Sequence, residues 1–504
     1  MSNQKQLSLS RLLNDFCDRT TGHGFHRLKN ARGKAAKLCW AIFMLSMWVV
    51  CSFQSIRCLS RYFSYFTSVQ VQIVTSTDAE YPALSICNLN PLRKSFFEKD
   101  PETFKSISDG VEEAAGGGNV GNSWAEIENF TTQHPNVLAI GSRVRESLYY
   151  TFYKERINMS FVGHQIEDML VSCTVQGRYC TPKNFHKWQV PAFGNCYTIF
   201  LQNLSAYIGP DYGLSMALYT EEDQYLPMIT EATGFRIQIH PAVYPPFPVE
   251  EGFTISPGSA TSVAFTEMRM KRQDYPYDST DCGAEEEMMG RGELFVRWTE
   301  FKNKGLIPSV NYTSTACRTA CFVRQIYSTC KCIEAAVLTW SDASALFGIG
   351  NMPPACDRSK TEVNKCIGQS AKQTDNMCSD ECPQPCEERS YSSRITSSYW
   401  PRPSFFTSVR ESWSAKIPAL AKLTPLQAAY NLANLEVYFQ NMNYQAITEH
   451  PAMDMWELLS NFGGTLGLYV GVSFLTLLEF GELVLRMAKV QLLYREMPNT
   501  VQPT

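Results

Sequence analysis

Two apolar segments stand near the two ends of this 504-residue chain, and most of the protein lies between them. Leu38–Ile56 and Phe462–Leu478 each approach the length that a bilayer core requires. With their polar extensions, we expect membrane helices at residues 38–60 and 455–485. A net charge of -4 and only two such segments suggest neither nucleic-acid binding nor a polytopic membrane bundle.

Basic residues flank both segments on one predicted side of the membrane. They are Arg27, Lys29, Arg32, Lys34 and Lys37 before the first segment, and Arg486, Lys489 and Arg495 after the second. Because positive flanks favour the cytoplasm, residues 1–37 and 486–504 should be cytoplasmic and residues 61–454 extracellular. A cleaved signal peptide and a lipid-anchor tail are both disfavoured, since the first apolar run starts only at Leu38 and the chain ends in polar residues.

Cysteine usage supports the same placement. Of eighteen cysteines, fourteen fall between Cys87 and Cys386, an even number in the region that we place in an oxidising compartment. The others should be free thiols, namely Cys17, Cys39, Cys51 and Cys58. The central region also holds four glycosylation sequons, at Asn129, Asn158, Asn203 and Asn311.

Two cysteine pairs at a spacing of four predict a stapled pair of helices. Cysteines at this spacing lie on one helix face, so two antiparallel helices can be joined through those faces. The antiparallel arrangement gives the pairs Cys317–Cys382, Cys321–Cys378, Cys330–Cys366 and Cys332–Cys356. Sequence alone leaves other connectivities open. A zinc site at Cys330 and Cys332 is disfavoured, because extracellular cysteines oxidise.

The second apolar segment has an unusual composition. Gly463, Gly467 and Gly471 recur every four residues and form a smooth stripe on one helix face. Glu479 and Glu482 follow, and carboxylates within a membrane usually face water or a partner. The glycines alone fit simple helix packing, but the acids favour a pore lining. They also argue against an adhesion receptor, and the sequence has no motif of an ectoenzyme.

Alternating apolar and polar residues predict half-buried strands beside both apolar segments, at Val69–Val74 and Leu435–Phe439. A helix is expected near Val144–Arg156. Each strand would run almost directly into a membrane helix, so motion in the sheet would pull on the pore. This is the minimum required for gating from outside.

Several motifs together resemble the degenerin, epithelial sodium channel and acid-sensing ion channel superfamily over nearly the whole chain. They are Thr21-Gly-His-Gly24, Tyr81-Pro-Ala-Leu-Ser-Ile-Cys-Asn88, Cys382-Pro-Gln-Pro-Cys386 followed by Tyr391, Asn443-Tyr444 and Leu458-Leu-Ser-Asn-Phe-Gly-Gly464. Phe235–His240 and Ile255–Gly258 look closest to acid-sensing channels and their invertebrate peptide-gated relatives. The resemblance implies an α+β trimer with palm, knuckle, finger, thumb (about residues 300–391) and β-ball subdomains. It also implies the disulfides Cys87–Cys196, Cys173–Cys180 and Cys282–Cys386.

The resemblance further assigns roles to individual residues. Gly471, Val472 and Ser473 match a Gly-x-Ser selectivity filter, in which Val472 departs from the usual small residue. Asn461 replaces an aspartate at the outer mouth, so both departures weaken the expectation of strict sodium selectivity. Ser460 matches the degenerin position at the gate. The remaining assignments are Gly464, Gly467, Glu479 and Glu482 in the pore, His23 and Gly24 in cytoplasmic gating, and Tyr62, Tyr65 and Tyr277 in coupling of thumb to membrane.

These features predict a non-enzymatic subunit of a voltage-independent, sodium-conducting channel in the plasma membrane, blocked by amiloride and needing no cofactor or metal. Its partners would be sodium ions, membrane lipid and related subunits in a homo- or heterotrimer. The alternatives are an ATP-gated-type two-span channel and an auxiliary, non-conducting subunit.

The sequence leaves several alternatives for the gating stimulus. They are protons, a neuropeptide or other extracellular ligand, mechanical force, and constitutive opening. Proton sensing requires crowded carboxylates. By resemblance to the acidic pocket of acid-sensing channels, the candidates are Glu221, Glu222 and Asp223, facing Asp342 or Asp357 of the thumb. Arg269-Met-Lys-Arg272 superficially fits a protease site, but its position favours the end of a strand.

Overall fold

The structure is a computed structural model that describes residues 2–22, 24–75, 80–99, 104–105, 108–109, 111–112, 121, 123–133, 137–201, 207–226, 229–277, 282, 296–340, 354–358 and 360–496. The chain divides into two compact units. The first comprises residues 1–68, 275–279 and 449–504, and the second comprises residues 69–274 and 280–448.

The first unit contains both apolar segments. Its helices are Ser2–Arg19, Phe25–Asn30, Lys34–Phe63, Met455–Val470 and Phe474–Glu496. Lys34–Phe63, the first apolar helix, is long and apolar enough to cross a membrane. The second apolar segment is broken into a proximal half-helix (Met455–Val470) and a distal half-helix (Phe474–Glu496). Through Val490 the two halves pass the same test together, with a bend of 73° between them.

The second unit is built around two sheets. The strands are β1 (Thr67–Thr75), β2 (Ala83–Asn88), β3 (Leu170–Val175), β4 (Arg178–Tyr179), β5 (Phe185–Val190), β6 (Gly194–Ile199), β7 (Leu214–Tyr219), β8 (Phe235–His240), β9 (Phe253–Ile255), β10 (Ser259–Lys271), β11 (Glu387–Tyr399), β12 (Leu432–Phe439) and β13 (Asn443–Pro451). One sheet has the order β1-β13-β10-β12-β7-β3-β4, with β11 paired to β10, and the other has the order β5-β6-β2-β8-β9.

Apolar side chains from both sheets fill one core. Ile86 and Ile237 of the smaller sheet pack in the same cluster as Met216, Val263 and Leu435 of the larger one. Along β12, buried and half-buried residues alternate, as expected for a strand with one face toward a core. The predicted strand at Leu435–Phe439 is therefore present, but β13, which the sequence analysis missed, is the strand that leads to the second apolar segment.

The second unit also contains helices, and two of them are joined by disulfides. They are Lys94–Glu98, Trp124–Thr132, Val137–Lys154, Met159–Val162, Ile166–Met169, Pro248–Glu251, Val296–Asn303, Ser314–Cys330, Ala335–Trp340, Thr361–Glu381, Pro403–Ser414 and Pro425–Asn431. Ser314–Cys330 packs against Thr361–Glu381. Disulfides Cys317–Cys382 and Cys321–Cys378 join this helix pair, and Cys330–Cys366 and Cys332–Cys356 continue the ladder.

Three further disulfides are Cys87–Cys196, Cys173–Cys180 and Cys282–Cys386, so the pairing in the structure is the one expected above. Cys17, Cys39, Cys51 and Cys58 are free. Of the sequons, Asn129 and Asn158 are exposed and Asn311 is half-buried, whereas Asn203 lies outside the described residues.

Candidate functional site

The break in the second apolar segment is built into the sequence Gly471-Val472-Ser473. Gly471 has φ 65° and ψ 26°, a left-handed conformation that glycine adopts readily and that commonly ends a helix. Its N–H donates to the Gly467 carbonyl across 3.1 Å, and the Val472 N–H donates to the Leu466 carbonyl across 3.3 Å. These bonds satisfy two of the carbonyls near the end of the proximal half-helix.

Ser473 begins the distal half-helix with a reciprocal cap. Its hydroxyl oxygen accepts from the Thr476 N–H across 3.3 Å, and the Thr476 hydroxyl oxygen accepts from the Ser473 N–H across 3.1 Å. Such paired bonds satisfy backbone donors that a helix start leaves open. The break is therefore stabilised on both sides.

The two carbonyls inside this break are open. Within the part of the chain that the structure describes, the carbonyl oxygens of Gly471 and Val472 accept no hydrogen bond. Backbone without helical bonds is tolerated at membrane depth only where protein buries it or where it lines a water-filled cavity. The site thus presents oxygen acceptors suited to a cation.

The first apolar helix holds this break from one side. The Gln54 side-chain amide donates to the Tyr469 hydroxyl across 3.0 Å. Cys51 and Val472 lie in one buried cluster with Val470. The Val472 side chain therefore packs inside its own subunit. The expected effect of this branched residue on sodium selectivity stays a prediction.

The opposite face of the proximal half-helix is open in this chain. Ser460, Asn461, Gly464 and Gly467 are all exposed, and a Cβ added at either glycine would meet no atom within 4 Å. The residues predicted to face a pore or a neighbouring subunit thus share a surface that the first apolar helix does not cover.

An N-terminal segment packs against the distal half-helix. The Glu479 carboxylate accepts from the Thr21 N–H and the Thr20 hydroxyl, each across 2.9 Å. Phe16 packs on Phe480 with ring centroids 4.9 Å apart, and Phe25 completes the aromatic group. This contact was not predicted, because no local pattern joins residues so far apart in sequence.

The two acids of the distal half-helix have different partners. Glu482 forms an ion pair with Arg486 on its own helix and is exposed, whereas Glu479 binds the N-terminal segment. Glu479 is therefore engaged by the N-terminal segment, and the expected place of both acids in the pore stays a prediction. Gly24, next to His23, has φ 91°, and a Cβ there would come within 2.7 Å of Met44 Sδ. His23 itself lies outside the described residues.

The expected aromatic contact at the end of the first apolar helix is made by Tyr65. Its ring lies 5.8 Å from that of Tyr277 in an edge-to-face arrangement. Tyr62 packs on Tyr65 at 6.4 Å, and its hydroxyl lies 3.9 Å from Met455 Sδ. The three tyrosines thus form one group beside the start of the proximal half-helix.

The proposed acidic cluster is divided. Glu221 is buried, and its carboxylate lies 2.7 Å from Nδ1 of the buried His164. Asn90 Nδ2 lies 2.9 Å from the other ring nitrogen of His164. Glu222 and Asp223 are exposed, and the Tyr219 hydroxyl donates to Asp223 across 3.3 Å. Asp357 pairs with Lys360, and Asp342 lies outside the described residues.

A different pair of carboxylates is crowded where Val137–Lys154 packs against Ala335–Trp340. Burial raises the pKa of Glu146, and the negative charge of Glu334 raises it further. Arg358, which pairs with Glu334, partly offsets this effect. Glu146 lies on the helix that the sequence predicted, but its acidic neighbour comes from a distant segment.

Asp274, Cys282 and Cys386 are close enough to suggest a metal site. The two sulfur atoms are joined in a disulfide, so they offer no thiolate ligand. The described residues therefore give no support for a metal at this cluster.

A broken apolar helix with open carbonyls, packed on a second apolar helix, is typical of membrane proteins that handle ions. The family described as amiloride-sensitive sodium channel matches residues 16–483. The chain therefore belongs to this family, whose members are ion channels and not enzymes. This result decides against the ATP-gated-type alternative.

Individual relatives match nearly the whole chain. The epithelial sodium channel subunit gamma of Pelodiscus sinensis is 23% identical over 572 residues, covering 94% of this chain and 80% of the relative. Acid-sensing ion channel 1A of Danio rerio is 26% identical over 502 residues, covering 95% and 88%. The epithelial sodium channel subunit alpha of Xenopus laevis is 25% identical over 555 residues, covering 95% and 82%.

Proposed function

We propose that the chain is a subunit of a trimeric, voltage-independent channel that conducts sodium across the plasma membrane. It would span the membrane twice, with both termini in the cytoplasm and residues 61–454 outside. The observation that carries the proposal is the break at residues 471–473, where the Gly471 and Val472 carbonyls are open. Carbonyls arranged around an axis can replace part of an ion's hydration shell.

The selectivity filter would be formed by backbone and not by the Val472 side chain. Three subunits would each contribute the Gly471 and Val472 carbonyls. Because the Val472 side chain is buried within its own subunit, its size need not change the width of the constriction directly. Sodium preference would instead depend on where the first apolar helix holds the backbone.

The exposed face of the proximal half-helix would line the outer pore and the gate. Ser460, Asn461, Gly464 and Gly467 lie on the surface that the first apolar helix leaves uncovered. Glycines allow close approach of neighbouring helices, and a bulky residue at position 460 would hold them apart. Amiloride block belongs to this proposal, because it would act on the same pore.

The cytoplasmic end would be controlled by the N-terminal segment. Glu479 binds Thr20 and Thr21, three and two residues before His23. A displacement of this segment would therefore act on the distal half-helix directly. Glu482, exposed beside Arg486, would be the acid more available to cations.

The opening stimulus would act from outside through the extracellular region. Protons and a peptide ligand are both retained, and the Tyr65–Tyr277 contact would carry the motion to the first apolar helix. The crowded Glu146 and Glu334 are proton-sensing candidates, because burial and repulsion both raise the pKa of Glu146.

Voltage-clamp recording of the expressed chain tests the proposal. Acid, neuropeptides and amiloride would be applied while external sodium is exchanged for potassium. A sodium current that amiloride reduces is the expected result. Current only after co-expression of a related subunit would indicate an obligate heteromer. If the chain reaches the cell surface but gives no current, either alone or with a related subunit, the result would support the auxiliary-subunit alternative.

A further inference from the structure

Cys51 lies in the first apolar helix where this helix meets the break. It is 2% exposed, and Val472 is 7% exposed in the same apolar cluster. The Cys51 thiol also lies 4.0 Å from the Thr465 carbonyl oxygen. Cys51 thus lies beside the last turns of the proximal half-helix and in the same apolar cluster as Val472.

Cys51 is almost fully buried, so a larger residue at position 51 would have to displace its neighbours. Its members, including Val470 and the partly buried Leu466 and Tyr469, come from a single chain, so the packing needs no neighbouring subunit. A cysteine side chain is small and behaves as a weakly polar apolar group when buried. Cores respond to added volume by shifting side chains and backbone.

We propose that Cys51 is a positioning residue for the selectivity filter, because its small side chain leaves the space that Val472 occupies. The side chains of Cys51 and Val472 together fill this part of the cluster. A larger residue at position 51 would push Val472, and with it the open carbonyls, away from the first apolar helix. This inference rests on the proposed function of residues 471–473 as the filter.

The test is a double-mutant cycle read as the sodium-to-potassium permeability ratio. The variants are Cys51→Leu, Val472→Ala and the combination of both. Each single variant should change the permeability ratio. The coupling between the two substitutions should amount to about twofold or more in this ratio, as for other contacting residues. The combination should return the ratio toward that of the parent, because the larger residue then occupies the space that valine vacates.

Cys39→Leu is the matched control. Cys39 is on the same helix but is exposed, so this substitution should leave the ratio unchanged. A permeability ratio reports the filter, whereas a general packing defect would lower surface expression or current without moving the reversal potential.

The outcomes separate this inference from the proposed function. If Val472→Ala shifts the ratio and Cys51→Leu does not, or if the two effects simply add, the positioning role of Cys51 is overturned. If neither variant shifts the ratio, the positioning role of Cys51 is overturned as well, whereas an unchanged ratio in Gly471→Ala is the separate result that would remove residues 471–473 as the filter.

Thiol labelling provides a second measurement that requires no current. Solubilised full-length protein would be treated with N-ethylmaleimide, and modification of Cys51 followed by mass spectrometry. Val472→Gly should raise the labelling rate of Cys51 severalfold relative to the parent, while labelling of Cys39 stays constant. An unchanged Cys51 rate would contradict the contact on which the inference depends.

Discussion

The carboxylate of Glu479 accepts a hydrogen bond from the backbone N–H of Thr21 across 2.9 Å. The hydroxyl groups of Thr20 and Thr21 donate to the same oxygen, across 2.9 and 3.3 Å. An acid that appears in sequence to be a pore charge is therefore the attachment point of the N-terminal segment. The aromatic group of Phe16, Phe25 and Phe480 lies beside this attachment.

Replacing Glu479 with alanine should release the N-terminal segment. Hydrogen bonds to charged groups contribute about 1.5–3 kcal/mol each, so the docked population should fall by about tenfold or more. The measurement is modification of Cys17 by a thiol reagent applied to the cytoplasmic side, quantified by mass spectrometry. Glu482→Ala is the control, since Glu482 pairs only within its own helix among the described residues. Equal Cys17 labelling in both variants would rule out the attachment.

Replacing Gly471 with alanine should distort the break. An L-residue in the left-handed conformation costs about 1–2 kcal/mol, so the backbone should move toward a different geometry. We expect a reduced preference for sodium over potassium, measured as a shift in reversal potential. Gly481→Ala is the control, because Gly481 lies within the distal half-helix and an added Cβ meets no atom of this chain within 4 Å. A parent-like reversal potential for Gly471→Ala would argue against a filter at this break.

Residue spacing in the sequence predicted the helices and strands that depend on local sequence. The spacing of Cys317 with Cys321 predicted a stapled helix pair, because residues four apart share a helix face. The burial of the Val472 side chain depends on the geometry of the break in the helix. The spacing of apolar residues along the sequence does not predict this geometry. Glu479 and Glu221 found partners from distant segments, Thr21 and His164, so their roles required the folded chain.

The ring contact between Tyr65 and Tyr277 should couple the two residues energetically. Aromatic pairs in edge-to-face geometry contribute about 0.5–1.5 kcal/mol beyond area burial, which is about a two- to tenfold change in a gating equilibrium. Tyr65→Ala and Tyr277→Ala should each shift the stimulus–response midpoint, and the double variant should shift it by less than the sum. Tyr179→Ala, at an 89% exposed position, is the control. Strict additivity would show that the rings do not act together.

Acidification should strengthen the packing around Glu146. Its pKa is raised above 4.5 by burial and then by the charge of Glu334. The stabilisation due to neutral Glu146 is therefore fully present below about pH 4.5 and is lost as pH rises through the raised pKa. Glu146→Gln should flatten the dependence of melting temperature on pH in this window, measured on purified full-length protein. The exposed Glu222→Gln should leave the slope unchanged. An identical slope for parent and Glu146→Gln would remove Glu146 as a proton sensor and leave a ligand as the favoured stimulus.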